Sequence, residues 1–210
     1  MPRKKKETAG RDSRGDRSRK LIKKAITGLV SDRALAEITL SDICRASRLT
    51  TGAVYFHFKD RDEAIEEAVI DEIEEGYGAL AEAVKGKSFA DVLKRLLDHV
   101  SSLHQSRKGL ATAVQVVINT RPRAHQAWIK ARRPVLDALE QAIAEARKAE
   151  RRSAAPAPYL ALFVLGSIED LSMDAFQWHN PTLAPFIKNV GDWNRRQVAL
   201  WRWAVLAPDL

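Results

Sequence analysis

The chain lacks the features that mark several large functional classes. It has one cysteine, Cys44, in 210 residues, which excludes an intrachain disulfide framework and fits a reducing compartment. Its longest apolar run, Tyr159 to Leu165, covers seven residues, against the roughly 20 that a membrane-spanning helix needs. No apolar stretch of signal-peptide length follows the basic first residues. The expectation is a soluble, intracellular protein with no membrane partner. There is no Gly-rich phosphate loop, no Gly-x-Ser-x-Gly and no Glu-x-x-His pair, so the common sequence warrants for nucleotide, acyl-transfer and carboxylate-metal chemistry are missing. His99 and His104 are five apart, a spacing that puts them on different helix faces and spoils a two-histidine metal site. Glu169, Asp170, Asp174 and His179 form an acidic group without a metal-ligand spacing. No enzymatic activity, metal or cofactor is expected.

What is present is a globular composition with an unusual charge distribution. Hydrophobic residues make up 45% of the chain, too many for wholesale disorder, and the length fits one large domain or a small one joined to a medium one. The net charge of +8 comes entirely from one end: residues 1–24 hold eleven Lys and Arg against Glu7, Asp12 and Asp16, and residues 25–210 balance. Such a segment suits a polyanion, because each phosphate neutralised releases counterions. The alternative is a solvated tail that only aids solubility. An anionic membrane would want bulky apolar residues interleaved with the charges, and residues 1–20 offer only Met1.

Hydrophobic spacing predicts helices throughout and no strand. Residues 1–17 are polar, contain Gly10 and Gly15, and read as a basic flexible arm. From Ser18, the apolar residues Leu21, Ile22, Ala25, Ile26, Leu29 and Val30 recur at three and four. Further helices are predicted after Thr39 and Thr50, then over about 60–84, 88–104, 110–119 (apolar almost all round, hence buried), 122–152, 159–178 and 182–207. That makes about nine helices, an all-α chain without internal repeats.

Residues 38–58 carry the most informative spacing. Thr39 can cap a helix with Asp42 as its reciprocal partner, and Ile38 and Ile43 flank the cap as a hydrophobic staple. Eleven residues on, Thr50 repeats the arrangement with Leu49 and Val54. Two capped helices joined by Ser47-Arg48-Leu49 have the geometry of a helix-turn-helix, whose second helix lies in the major groove. Its outer face would hold Thr51, Gly52, Tyr55 and Phe56: a hydroxyl for phosphate, a Gly for close approach, and aromatic edges for thymine methyls. His57, Lys59 and Arg61 follow, placed for backbone contacts. No Arg, Asn or Gln lies between Thr50 and Phe58, so base reading leans on Ser41, Arg45, Arg48, the arm and DNA shape. The plainer alternative is a helical hairpin with tyrosine and phenylalanine as ordinary core.

The stretch "TLSDICRASRLTTGAVYFHFKDR", Thr39 to Arg61, resembles the DNA-binding domain of the TetR family of transcriptional regulators. The family pattern of a Thr cap, Ile with a small residue, a capped turn and Gly-x-x-Tyr-x-His-Phe falls on Thr39, Ile43 and Cys44, Thr50, and Gly52, Tyr55, His57 and Phe58. Arg61 stands for the basic residue that usually follows. Two positions depart from the pattern. Arg48 occupies the turn position where Gly is usual, so either it adopts a left-handed conformation or the turn is rebuilt and Arg48 contacts phosphate. Cys44 replaces the usual Ala.

The resemblance implies a helix-turn-helix domain over 18–65 and a larger helical effector-binding and dimerisation domain over 66–210. It implies DNA contacts from Thr39, Ser41, Arg48, Thr50, Thr51, Gly52, Tyr55, Phe56, His57, Lys59 and Arg61. It also implies a bacterial cytoplasmic homodimer that represses from a palindromic double-stranded operator, sits at the nucleoid when bound to DNA, and is released by a small molecule. The last two helices would form the dimer interface, with Leu162, Phe163, Gly166, Trp193, Leu200 and Trp201 as candidates, some of which are expected to close the monomer core instead. Polar or aromatic residues inside otherwise apolar helices are the effector-pocket candidates: His99, His104, Gln115, Asn119, His125, Trp128, Tyr159, Asp170 and Trp178. An apolar or aromatic effector is expected. A second reading keeps the fold and drops the effector, giving an architectural or DNA-organising protein.

Overall fold

A computed structural model describes residues 14–154 and 156–207. Among them are nine α-helices and no strand: α1 (Arg14–Asp32), α2 (Leu40–Ser47), α3 (Thr51–His57), α4 (Arg61–Val84), α5 (Phe89–Ser106), α6 (Lys108–Thr120), α7 (Pro122–Ala149), α8 (Ala157–Phe176) and α9 (Val190–Leu206). The chain divides into two units, Met1–Ala68 and Val69–Leu210. Residues 1–13, most of the predicted basic arm, lie outside the described residues. The last four arm residues are helical instead, because α1 begins at Arg14 and places Asp16 in its first turn, where an acidic side chain favours the helix N-terminus.

In the first unit α1 packs on α2 and α3. The period-3.6 stripe of α1 buries Ile22, Ile26 and Val30 with Ile38, Ile43, Val54 and Phe58, as the staple spacing requires. A single 3-10 turn at Leu35–Glu37 precedes the cap at Thr39. Arg61, at the start of α4, donates from its guanidinium to the carbonyls of Leu35 and Ile38.

In the second unit one apolar cluster joins the end of α4 to α5, α7, α8 and α9, with Leu93, Leu96, Leu97, Val135, Leu139, Ile143, Val164 and Leu165 at its centre. Helix α7 starts with Pro122 in its first turn, where a missing N–H costs nothing. Polar residues lock α5 to α9: Ser101 donates to Asn194 Oδ1 (3.0 Å), and Asn194 Nδ2 donates to Asp98 (2.9 Å).

Two predicted elements need correction. The final helix starts at Val190, capped by Asn189 accepting from the Asp192 amide (2.9 Å), and not near Thr182. Pro185 lies in a 3-10 turn at Ala184–Phe186, and proline cannot supply the N–H that an α-helix through this stretch would need. Helix α6 is not buried all round. Leu110, Ala111, Ala113, Val117 and Ile118 face inward, whereas Thr112, Val116, Asn119 and Thr120 are exposed.

Arg147, at 3% exposure, is the most buried charge described in the second unit. It donates to the carbonyls of Ser153 (2.6 Å) and Val205 (2.5 Å), closing the end of α7 and capping the last turn of α9. Replacing it with methionine leaves both carbonyls without this donor, and about 2 kcal/mol or more of stability is expected to go. A urea melt checks this: wild-type stability in Arg147→Met would show that the cap is dispensable.

Candidate functional site: a helix-turn-helix surface and a cavity in the second unit

The surface around α3 is built from two local caps. Thr39 Oγ1 accepts from the Asp42 amide (3.1 Å), and the Asp42 carboxylate accepts from the Thr39 amide (2.9 Å), a complete capping box. Hydrogen bonds from the Thr39 hydroxyl and then its amide, with Arg33 nearby, bring the Asp42 carboxyl down to about 2, so the box is fully charged at neutral pH. Thr50 repeats the cap by accepting from the Ala53 amide (3.2 Å).

The turn between the helices settles the alternatives left open at Arg48. It stands at φ 58°, ψ 33°, in the left-handed region where Gly is usual. The Leu49 amide reaches back to the Cys44 carbonyl (3.1 Å), the long hydrogen bond of a Schellman-type helix end. The turn is therefore retained at the cost of a strained backbone, and the Arg48 side chain is exposed.

The outward residues are those the spacing indicates. Thr39, Ser41, Arg48, Thr50, Thr51, Gly52 and Lys59 are exposed, as is Arg45. Two large aromatics stand in solvent on α3, Tyr55 at 54% and Phe56 at 81% exposure. Val54 and Phe58 point the other way, into the core, at 0% and 2%. A hairpin with tyrosine and phenylalanine as ordinary core would bury all four; here the aromatics divide between the two faces.

Two candidates serve the fold as well as the surface. His57 is half-buried, with its Nε2 2.6 Å from Ser18 Oγ. Ser18 Oγ also donates to the Gly15 carbonyl (2.9 Å), so the contact ties the end of α3 to the first turns of α1. Arg61 is held by the Leu35 and Ile38 carbonyls and by Asp62 (2.8 Å), which makes it chiefly a clamp for the loop before α2. Spacing within α3 does not reveal Arg19, which pairs with Glu67 and lies 4.9 Å over the Phe58 ring.

The second unit contains a cavity of about 370 Å³ bounded by α4, α5, α6, α7 and α8. Of the effector candidates, His99, His104, Gln115 and Trp128 line it. Asn119, His125, Tyr159, Asp170 and Trp178 are absent from its lining. Tyr159 and Trp178 are exposed at 70% and 67%. Asp170 is one residue from the wall, about 100° around the helix, and its neighbour Glu169 takes the place expected of it. His125 is exposed and only tilts against Trp128, with ring centroids 5.6 Å apart.

Glu169 anchors a network at the cavity that sequence spacing does not reveal. The Tyr77 hydroxyl donates to its Oε1 (2.5 Å), and the Arg132 guanidinium donates to Oε2 (2.8 Å) while lying 4.2 Å over the Trp128 ring. Burial pushes the Glu169 carboxyl up against the opposing pull of Arg132 and Tyr77. Burial, then the adjacent Glu169 charge, raises the Tyr77 phenol, which stays protonated. Burial lowers both His99 and His104; for His104, Gln177 opposes the shift. Both imidazoles are therefore neutral at pH 7. Glu72, also on the wall, pairs with Arg107 (2.9 Å).

The dimer candidates divide by exposure. Leu162, Phe163 and Leu200 are exposed at 55%, 52% and 47%, and Gly166 is half-buried. Trp193 and Trp201 are not surface anchors. At 4% and 6% they close the protomer's own core, Trp193 edge-on to Phe176 and Trp201 edge-on to Phe163. Tyr159 on α8 and Trp203 on α9 are exposed, at 70% and 73%. No group of three or more His, Cys, Asp or Glu among the described residues could hold a metal ion, and no described helix is long and apolar enough to cross a membrane.

The fold is that of TetR-family transcriptional regulators. A TetR-family transcription regulator from Marinobacter aquaeolei VT8 aligns over 93% of this chain and 98% of its own, with a TM-score of 0.65 and 15% identity. A transcriptional regulator from Rhodococcus sp. Rha1 aligns over 90% and 96%, with a TM-score of 0.64 and 19% identity. FadR of Bacillus subtilis, solved in complex with stearoyl-CoA, aligns over 87% and 96%, with a TM-score of 0.65 and 14% identity. In sequence, the uncharacterised HTH-type transcriptional regulator YxbF of Bacillus subtilis is 28% identical over 87 residues, which span 41% of this chain and only 20% of YxbF. No family model matches the chain.

Proposed function

We propose that the chain is a TetR-family transcriptional repressor that binds a palindromic operator as a homodimer and is released when a small molecule enters the cavity of its second unit. The observation that carries this reading is the division of α3: Val54 and Phe58 are buried while Tyr55 and Phe56 stand in solvent, on a doubly capped helix-turn-helix. A helix that spends aromatic area in this way needs a partner surface. The major groove, with thymine methyls at its edge and phosphates at its rim, fits Tyr55 and Phe56 flanked by Thr50, Thr51, Arg48 and Lys59. The basic residues before α1 add sequence-independent attraction to the same polyanion.

Helix α4 offers a route for release. Its first turns belong to the first unit, and Glu72, Ile73, Gly76, Tyr77 and Leu80, further along, line the cavity of the second. A ligand that binds better to one position of α4 shifts the population of DNA-competent protomers by that differential affinity. The cavity is also why the effector-responsive reading is preferred to the architectural one. Tyr159, Leu162, Phe163, Leu200 and Trp203 supply the face for a second protomer.

Selection of bound sequences from random duplex DNA by the purified protein tests the reading. A two-fold symmetric consensus is expected. Binding that follows salt with no sequence enriched would contradict it and leave the architectural alternative.

A further inference from the structure

The cavity wall carries three carboxylates, of which two are answered by a nearby guanidinium. Glu72, Glu75 and Glu169 line it, and the guanidinium groups that answer them are Arg107 on Glu72 and Arg132 on Glu169. That leaves Glu75, which is exposed and so marks a side open to solvent. The two histidines on the wall add no positive charge at pH 7, since burial holds both down. Trp128 carries Arg132 at 4.2 Å from one ring, the arrangement by which an aromatic stabilises a cation. His104, also on the wall, is 5% exposed, with Gln177 beside it. The rest of the wall is apolar: Ile73, Leu80, Val100, Leu103, Leu110 and Leu165.

We propose that this cavity takes a hydrophobic ligand bearing one positive charge, an alkyl or aryl ammonium, with Glu75 as the carboxylate that faces it, and that it discriminates against carboxylate- and phosphate-bearing ligands. The inference rests on reading the cavity as the effector chamber. An anionic head would meet the unanswered Glu75 carboxylate and find both guanidinium groups already paired, whereas an ammonium can pair with Glu75. The acyl-CoA class held by the solved FadR relative carries the opposite charge and needs a different wall.

The test uses three probes with one apolar tail, decyltrimethylammonium, decanol and decanoate, titrated into the full-length protein below their micellar concentrations and followed by calorimetry. The expected order is ammonium over alcohol over carboxylate. Glu75→Gln is expected to weaken the ammonium about fivefold, the scale of one partly exposed charge pair, and to leave the alcohol unchanged. Gly76→Leu is expected to abolish all three, because a Cβ at Gly76 already comes within 3.9 Å of His99 Nε2 and a longer side chain fills the space beyond it. The net charge of +8 favours an anion in any nonspecific binding, so preference for the ammonium is a property of the site. Decanoate binding as tightly as the ammonium would overturn the proposal, as would ammonium binding untouched by both substitutions, or no binding of any probe. Sequence-selective DNA binding, measured separately, reports on the proposed function alone: its absence with the expected probe order would fail that function and leave the charge preference of the cavity standing.

Discussion

Replacing Phe56 with alanine is expected to weaken operator binding by roughly 100-fold, because a symmetric dimer loses the same contact in both half-sites and each base contact is worth about 1–3 kcal/mol. The substitution costs the fold little. At 81% exposure Phe56 has no core to leave, so the melting curve should superimpose on the wild type. The same holds in weaker form for Tyr55, at 54%. Replacing operator thymines by deoxyuridine removes only the 5-methyl group. If Phe56 packs on such a methyl, wild-type protein loses affinity at one position per half-site and Phe56→Ala is indifferent there. Unchanged affinity of Phe56→Ala for the selected duplex would remove α3 as the reading helix.

The second large effect is expected at the other end of the chain. Introducing glutamate at both Leu162 and Phe163 puts two charges on the exposed side of α8, beside Tyr159, whose ring stacks on Phe163 at 6.5 Å. Burying such charges without partners costs far more than an interface can return. The double variant is expected to be a folded monomer by light scattering, and to lose about 100-fold or more in operator affinity, the size of effect that goes with losing simultaneous engagement of two half-sites. A dimer that survives both glutamates would place the interface elsewhere.

The parts of this molecule that could be read from sequence are those fixed by neighbours in the chain. Thr39 with Asp42, Thr50 with Ala53 and the stripe Ile22–Ile26–Val30 are set by separations of three and four, and each forms as expected. The cavity is built otherwise. Tyr77 and Glu169 meet across 92 residues, a pairing that leaves no trace in local periodicity. The polarity of α8 near its end drew attention to Asp170, but a step of one residue turns the helix by about 100° and Glu169 holds the wall. Trp193 and Trp201 read as surface anchors because a lone terminal helix can hardly bury them; α5, α7 and α8 supply the missing cover for Trp201, and Phe176 packs against Trp193. Pro185 keeps the stretch before Val190 out of α9 despite the apolar residues around it.

In the proposed function two protomers, each presenting α3, grip one palindrome together. The measurement that tests it most directly is the mass of the protein–DNA complex on the selected duplex, compared with a duplex carrying a single half-site. The expected result is an even number of protomers on the full site, and binding weaker by orders of magnitude on the half-site. One protomer per duplex, with equal affinity for the half-site and the full site, would contradict the account.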